Sequence, residues 1–392
     1  MSSATSPVSQ SEGSATPFRF YDNRQKYLAF VTSTNEKAAV SRRAVQELDH
    51  LVPSPPAIRL FDAGMGDATV LSNLLRGAHQ RFPTLPLYVV AKEISLEDVR
   101  LGLEKMADRF HEHPATVLVI TNMTYAEAPQ LMPADPQLAA ALNWEKVRLT
   151  GTSSHDYAQQ IERLGPTLEH GWATRTSKKS GNPVYVRPSV IVLYREDQQF
   201  LLDAVIPRPG HVLQGYDLVL ASQPWRARMS TQFKAQRVLA PLARNLAPGG
   251  RLLAIQSAGG DPALEIIQQI WPDEDPFQVD RHQLIAALKA ELARQAREFS
   301  WPTQSDEKAH FRYEMRTMPS EIGDRIGTST LYAAWNAAIY VNQIEEERLG
   351  DVVQNGRYIE ATQAVLRKHG GLWFNDESFV ITRRRPTESS GS

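Results

Sequence analysis

The stretch RLFDAGMGDATVL, residues 59–71, constrains the fold more than any other. An apolar run feeds Asp62-Ala63-Gly64-Met65-Gly66, and helical spacing follows at Val70, Leu71, Leu74, Leu75 and Ala78. The two glycines permit a tight turn and let a ligand approach backbone amides. A strand that turns so abruptly into a helix calls for a parallel neighbour, and LYVVAKE, residues 87–93, supplies it. That second strand ends in Glu93, where an acidic side chain can accept hydrogen bonds from both hydroxyls of a ribose. Strands three, four and five are read at 115–122 (ATVLVITN), 216–222 (YDLVLAS) and 251–257 (RLLAIQS), with a last strand at 379–385. Strands alternating with helical patterns predict an α/β fold: a Rossmann-like, mostly parallel sheet with helices on both faces. Large insertions follow strands three and five.

Residues 1–17 and 386–392 are polar and read as tails, and 18–57 as a helical segment with Ala39, Val40, Ala44, Val45 and Leu48 near one face. The core is assigned to 58–123 and 216–257. Residues 124–215 are expected to form a substrate lid with helices near 136–148 and 155–168. That lid would also carry a hairpin pairing 184–194 with 199–207. Residues 258–385 are read as a helical insertion followed by the C-terminal strand. APGG, residues 247–250, is read as the stop of the helix after strand four.

Composition narrows the function. The chain of 392 residues has a net charge of −1, so no global basic field invites nucleic acid or an anionic membrane. Cysteine is absent, which excludes disulfides, thiolate nucleophiles and cysteine metal sites and suits a cytoplasmic protein. No apolar run reaches the roughly 20 residues of a membrane helix. His and acidic residues show no metal-ligand spacing.

With these residues in place, the chain resembles the class I S-adenosylmethionine-dependent methyltransferases. FDAGMGDATVL is similar to their first motif, Asp/Glu-x-Gly-x-Gly, and LAPGGRLLAIQS to their fifth strand. The resemblance implies S-adenosyl-L-methionine as cofactor. It implies that Asp62, Ala63, Gly64, Met65 and Gly66 hold its methionine end, that Glu93 holds the ribose, and that Asn122 contacts adenine. Ser222-Gln223-Pro224-Trp225 falls at the family's fourth motif, where amine-specific members carry Asp/Asn/Ser-Pro-Pro-aromatic. Ser222 would then serve cofactor and acceptor, Trp225 would pack on a planar acceptor, and Gln223 replaces the first proline. The same tetrad can instead open a helix, Ser222 or Gln223 capping it and Pro224 lying in its first turn. His155, in GTSSHDY, is a candidate general base and equally a neighbour of a helix cap.

The expected activity is methyl transfer to a small or medium organic acceptor, nitrogen included. Two other readings stay open: an NAD(P)-dependent oxidoreductase, against which Asp62 and Thr69 count, and a nucleotide-binding interaction protein without turnover.

Overall fold

The computed structural model describes residues 24–177, 183–302, 304–317, 319–322 and 326–385. Both tails lie outside these residues. Twelve strands form: β1 (Ile58–Asp62), β2 (Leu87–Lys92), β3 (Thr116–Thr121), β4 (Asn143–Leu149), β5 (Thr174–Thr176), β6 (Pro183–Tyr185), β7 (Ser189–Arg195), β8 (Tyr216–Ser222), β9 (Leu246–Ser257), β10 (Phe299–Ser300), β11 (His310–Glu314) and β12 (Trp373–Arg383). Ten of them make one sheet in the order β10-β12-β9-β8-β1-β2-β3-β7-β4, with β11 also on β12. The five central strands, β9, β8, β1, β2 and β3, run parallel to one another. Strand order reverses at β1, which lies between β2 and β8. In open α/β sheets that switch point, at the carboxyl ends of the strands, is where ligands bind.

The central strands are buried on both faces, as parallel strands under helices must be. Side chains alternate between two cores. Leu60, Val89, Leu118 and Ile120 enter one, with Leu71, Leu74 and Leu75 of helix α3 (Thr69–Arg81, counted after α1, Arg24–Ser33, and α2, Glu36–Val45). Phe61, Tyr88, Val90 and Val119 enter the other, with Val238, Leu239 and Leu242. A third core joins Phe30 of α1 and Ala39 of α2 to Ile266, Ile267, Trp335 and Phe374. It clamps the N-terminal helices to the C-terminal ones over one end of the sheet.

Three local expectations fail. The hairpin of 184–194 with 199–207 does not form. β7 enters the main sheet instead, antiparallel to β3 and parallel to β4. Residues 199–207 contribute no strand, leaving Phe200 98% exposed. The helix near 136–148 stops at Ala140, and 143–149 is strand β4. Much of the first insertion therefore widens the sheet: β7, every residue of it buried, needs a partner on each edge. APGG does not stop a helix either. The helix ends at Arg244, and all four residues lie inside β9.

The reason lies in how closely β9 passes β8. A Cβ on Gly250 would sit 2.3 Å from the Tyr216 carbonyl oxygen and 2.8 Å from that of Ala247. The pairing register also shifts between Tyr216 and Leu218. Gly250→Ala is expected to cost about 1–3 kcal/mol, the range for overpacking a tight interior. Chemical denaturation measures it, and a variant as stable as the parent would show that the backbones separate freely.

Candidate functional site

The turn after β1 is tied to the strands on both sides. Ala63 N–H donates to the Leu220 carbonyl of β8 at 2.8 Å, and Met65 N–H to the Lys92 carbonyl of β2 at 3.0 Å. Both side chains are buried, so these residues contribute backbone to the site. Gly66 N–H donates to Glu93 Oε2 at 2.7 Å, and the other carboxylate oxygen accepts from Ile94 and Ser95 N–H at 2.7 and 2.8 Å. Gly66 has φ +51°, and a Cβ there would come within 3.2 Å of Tyr27 Oη. Gly64 faces open space, with nothing within 4 Å of an added Cβ.

Gly102, in helix α4 (Leu96–Glu104), escaped sequence reasoning. Its missing Cβ would lie 2.8 Å from Met65 Cε and 3.0 Å from Ala68 Cβ, so only glycine lets α4 close on the loop. The capping expected of Ser95 is present: its hydroxyl accepts from Asp98 N–H at 3.2 Å.

Asp62 is 3% exposed and accepts from Gly64 N–H at 3.1 Å. Burial pushes its carboxyl up to about 7; the Gly64 hydrogen bond opposes the shift and the Glu93 charge adds to it. Burial also raises Asp98, to about 6.

Across the turn stands the tetrad. It caps no helix. The next helix begins at Thr231, and Ser230 caps it through Phe233 N–H at 3.2 Å. Gln223 instead holds a left-handed backbone, φ +49°, uncommon for a residue with a side chain. Hydrogen bonds hold it there. Its amide oxygen accepts from Ser257 N–H at 3.2 Å, and its amide nitrogen donates to Ser257 Oγ at 3.1 Å and Asp376 Oδ1 at 3.2 Å. The Pro224 carbonyl accepts from Tyr125 Oη at 2.9 Å. Trp225 Nε1 donates to Gln256 Oε1 at 3.0 Å, which fixes the indole in a wall of the site.

Turn and tetrad line one cavity of about 280 Å³. Gly64, Gly66, Glu93, Ser95 and Asp98 bound one side, and Ser222, Gln223, Pro224 and Trp225 another. The remaining wall comes from elements the motifs did not flag: α1 and α2, β11, and the end of the helix Thr328–Val341. Among the described residues of the insertion expected to form the lid, only Tyr125 reaches the cavity lining. Of the aromatics in FYDNRQKY, Tyr27 lines it; Phe20 and Tyr21 lie outside the described residues.

Of the predicted site residues, Asp62, Ala63 and Met65 lie behind the turn and are not among the lining residues, and two more stand elsewhere. Asn122 is spent on the framework: its amide donates to the carbonyls of Gly171 at 3.1 Å and Arg187 at 3.3 Å and accepts from Ser189 N–H at 2.9 Å. It pins the first insertion to β3, and it is not among the lining residues. His155 is exposed on the helix Ser154–Glu162, beside a capping box of Ser153 and Asp156, and it too is absent from the lining. Among the described residues no cluster of His, Asp and Glu could hold a metal, and no helix is long and apolar enough to cross a membrane.

A carboxyl raised on folding adds stability below its ordinary value of 3.8 and loses it as pH rises toward 7. Asp62→Asn keeps the oxygen that accepts from Gly64 and removes the buried charge. The variant's melting temperature should therefore match the parent's near pH 4 and exceed it by a few degrees at pH 8. A difference that ignores pH would refute the assigned cause.

No family model matches this chain, and no curated protein matches it by sequence. Solved structures do. A geranyl diphosphate methyltransferase is 14% identical with a TM-score of 0.33, over 88% of this chain and 78% of that one. Phosphoethanolamine N-methyltransferase 2 of Haemonchus contortus is 13% identical with a TM-score of 0.30, over 94% of this chain and 60% of that one. The cyclase SpnF is 10% identical with a TM-score of 0.31, over 88% of this chain and 82% of that one. At such distances function must be read from the residues of the cavity itself.

Proposed function

We propose that the chain is an S-adenosylmethionine-dependent methyltransferase acting on a small or medium organic acceptor. One observation carries this reading: a single cavity joins Gly64 and Gly66 of the turn, and Glu93, to the tetrad at the end of β8. The wall suits the cofactor. Gly64 leaves room for a chain to pass over the turn, and Glu93, Glu97 and Asp98 offer negative charge to a cationic donor.

When bound, S-adenosylmethionine supplies the methyl group: the acceptor's lone pair forms the bond to carbon, the C–S pair returns to sulfur, and S-adenosylhomocysteine leaves. The chain's own residues supply alignment, the effect that counts most when the leaving group is already activated. In this reading Glu93 holds the ribose hydroxyls, and the backbone at Gly64 and Gly66 meets the methionine end. Ser222, which lines the cavity, is assigned to the space between donor and acceptor. Trp225, held by Gln256, gives a planar acceptor a fixed surface. Asn122 and His155 have no part in this scheme, since neither lines the cavity.

Calorimetry tests the donor site. S-adenosylhomocysteine should bind and NAD should not, and Glu93→Ala should weaken binding by about tenfold or more, the value of a charge-assisted hydrogen bond. Equal binding of NAD would return the chain to the oxidoreductase reading. For the acceptor side, Trp225→Ala should reduce methyl transfer, followed by mass spectrometry, more than it reduces S-adenosylhomocysteine affinity. Equal losses would remove Trp225 from acceptor binding.

A further inference from the structure

The acceptor side of the cavity carries a carboxylate that no motif singled out. Glu36, the first residue of α2, is 5% exposed and lines the cavity with Phe30, Tyr313 and Tyr340. Its Oε2 is buried and has no hydrogen-bond partner among the described residues. Lys37 Nζ stands 3.3 Å from that oxygen as an ion pair, the one cation beside it among the described residues. The same ammonium also lies 5.6 Å from the centre of the Tyr27 ring. A buried carboxylate with an unmet acceptor oxygen is costly, and natural proteins keep such groups for a purpose.

The surroundings sharpen that purpose. Phe30 and Tyr340 stack at 4.7 Å, and Tyr313 meets Phe30 edge-on at 6.1 Å, so Glu36 stands beside an aromatic wall. Among the described residues Lys37 is the sole basic one lining the cavity, against Glu36, Glu93, Glu97 and Asp98. Behind Gln223 lies Asp376, fully buried, with Oδ2 unpartnered among the described residues. Burial first, and the Glu36 charge next, raise its carboxyl well above the usual carboxylate range. Crowded acids and π faces both favour a bound cation. An anionic acceptor would meet like charge, and a neutral one would leave Lys37 alone to balance four lining acids.

Resting on the methyltransferase reading, we propose that the acceptor is an arylalkyl amine, its cationic nitrogen held by Glu36 and its ring by the aromatic wall. The amine enters as an ammonium and loses one proton to solvent before its lone pair is free to attack. Glu36 is here a binding residue. The competing role, stabilising the start of α2 against its helix dipole, would affect melting and not ligand choice.

Three probes of one shape separate these roles: phenethylamine, 2-phenylethanol and 3-phenylpropionate, each titrated into the full chain saturated with S-adenosylhomocysteine. Phenethylamine should bind at least about tenfold more tightly than the alcohol, and the carboxylate should bind weakest. Glu36→Gln should remove about tenfold of amine affinity, leave the alcohol unchanged, and keep S-adenosylhomocysteine affinity within about threefold. Equal binding of amine and alcohol, preference for the carboxylate, binding of none of the three, or an amine preference surviving Glu36→Gln would overturn the proposal. If Glu36→Gln does not fold, the parent's ranking of the three probes decides. If S-adenosylhomocysteine itself does not bind, the methyltransferase reading fails first, and the same ranking on the free chain judges the cation site separately.

Discussion

The carboxylate of Glu93 is the junction on which the site depends. One oxygen takes the Gly66 amide from the turn after β1, and the other takes two amides from the chain leaving β2. Three N–H groups at a helix approach and a glycine turn would otherwise compete for water or stay unmet at the carboxyl edge of the sheet. Meeting them with one buried carboxylate locks the turn to β2, and the Ala63 bond locks it to β8. The gap between β2 and β8 is the switch point of the sheet, so the tie that holds the turn also places the cavity.

The opposite wall is held by a different device. Gln223 occupies a strained backbone position because its side chain bridges β9 and β12 through Ser257 and Asp376. Strain of this kind persists only where surrounding contacts over-determine it. Where the amine-specific motif has a proline, this chain uses hydrogen bonds to set the direction of the tetrad. The carbonyl of Pro224 is already engaged by Tyr125, and the indole of Trp225 by Gln256, so the wall is rigid before an acceptor arrives.

Buried carboxylates recur around this cavity, and they cost stability. Asp62 and Asp98 are raised by burial to about 7 and about 6, so Asp62 is only partly ionised near neutral pH, while Asp98 stays mostly charged. A cationic donor or acceptor would relieve that cost, coupling binding to ionisation.

The parallel core, the glycine turn and Glu93 at the end of β2 were legible in the chain alone, since each rests on local rules of period and turn. The sequence also located the tetrad at the end of a strand beside the turn. What it could not distinguish was a half-exposed edge strand from a helix at 143–149, because sheet partnership there is decided by a β7 that is buried on both faces and needs a neighbour. Nor could it tell that Asn122 spends its amide on Gly171, Arg187 and Ser189, 49 to 67 residues away. Glu36 sat in an ordinary helix start, yet the third core folds α2 against segments some 300 residues distant and turns it into a wall of the cavity. Local periodicity determined the turn and Glu93 side of the cavity; the Glu36 side was decided by long-range packing, which no single segment encodes.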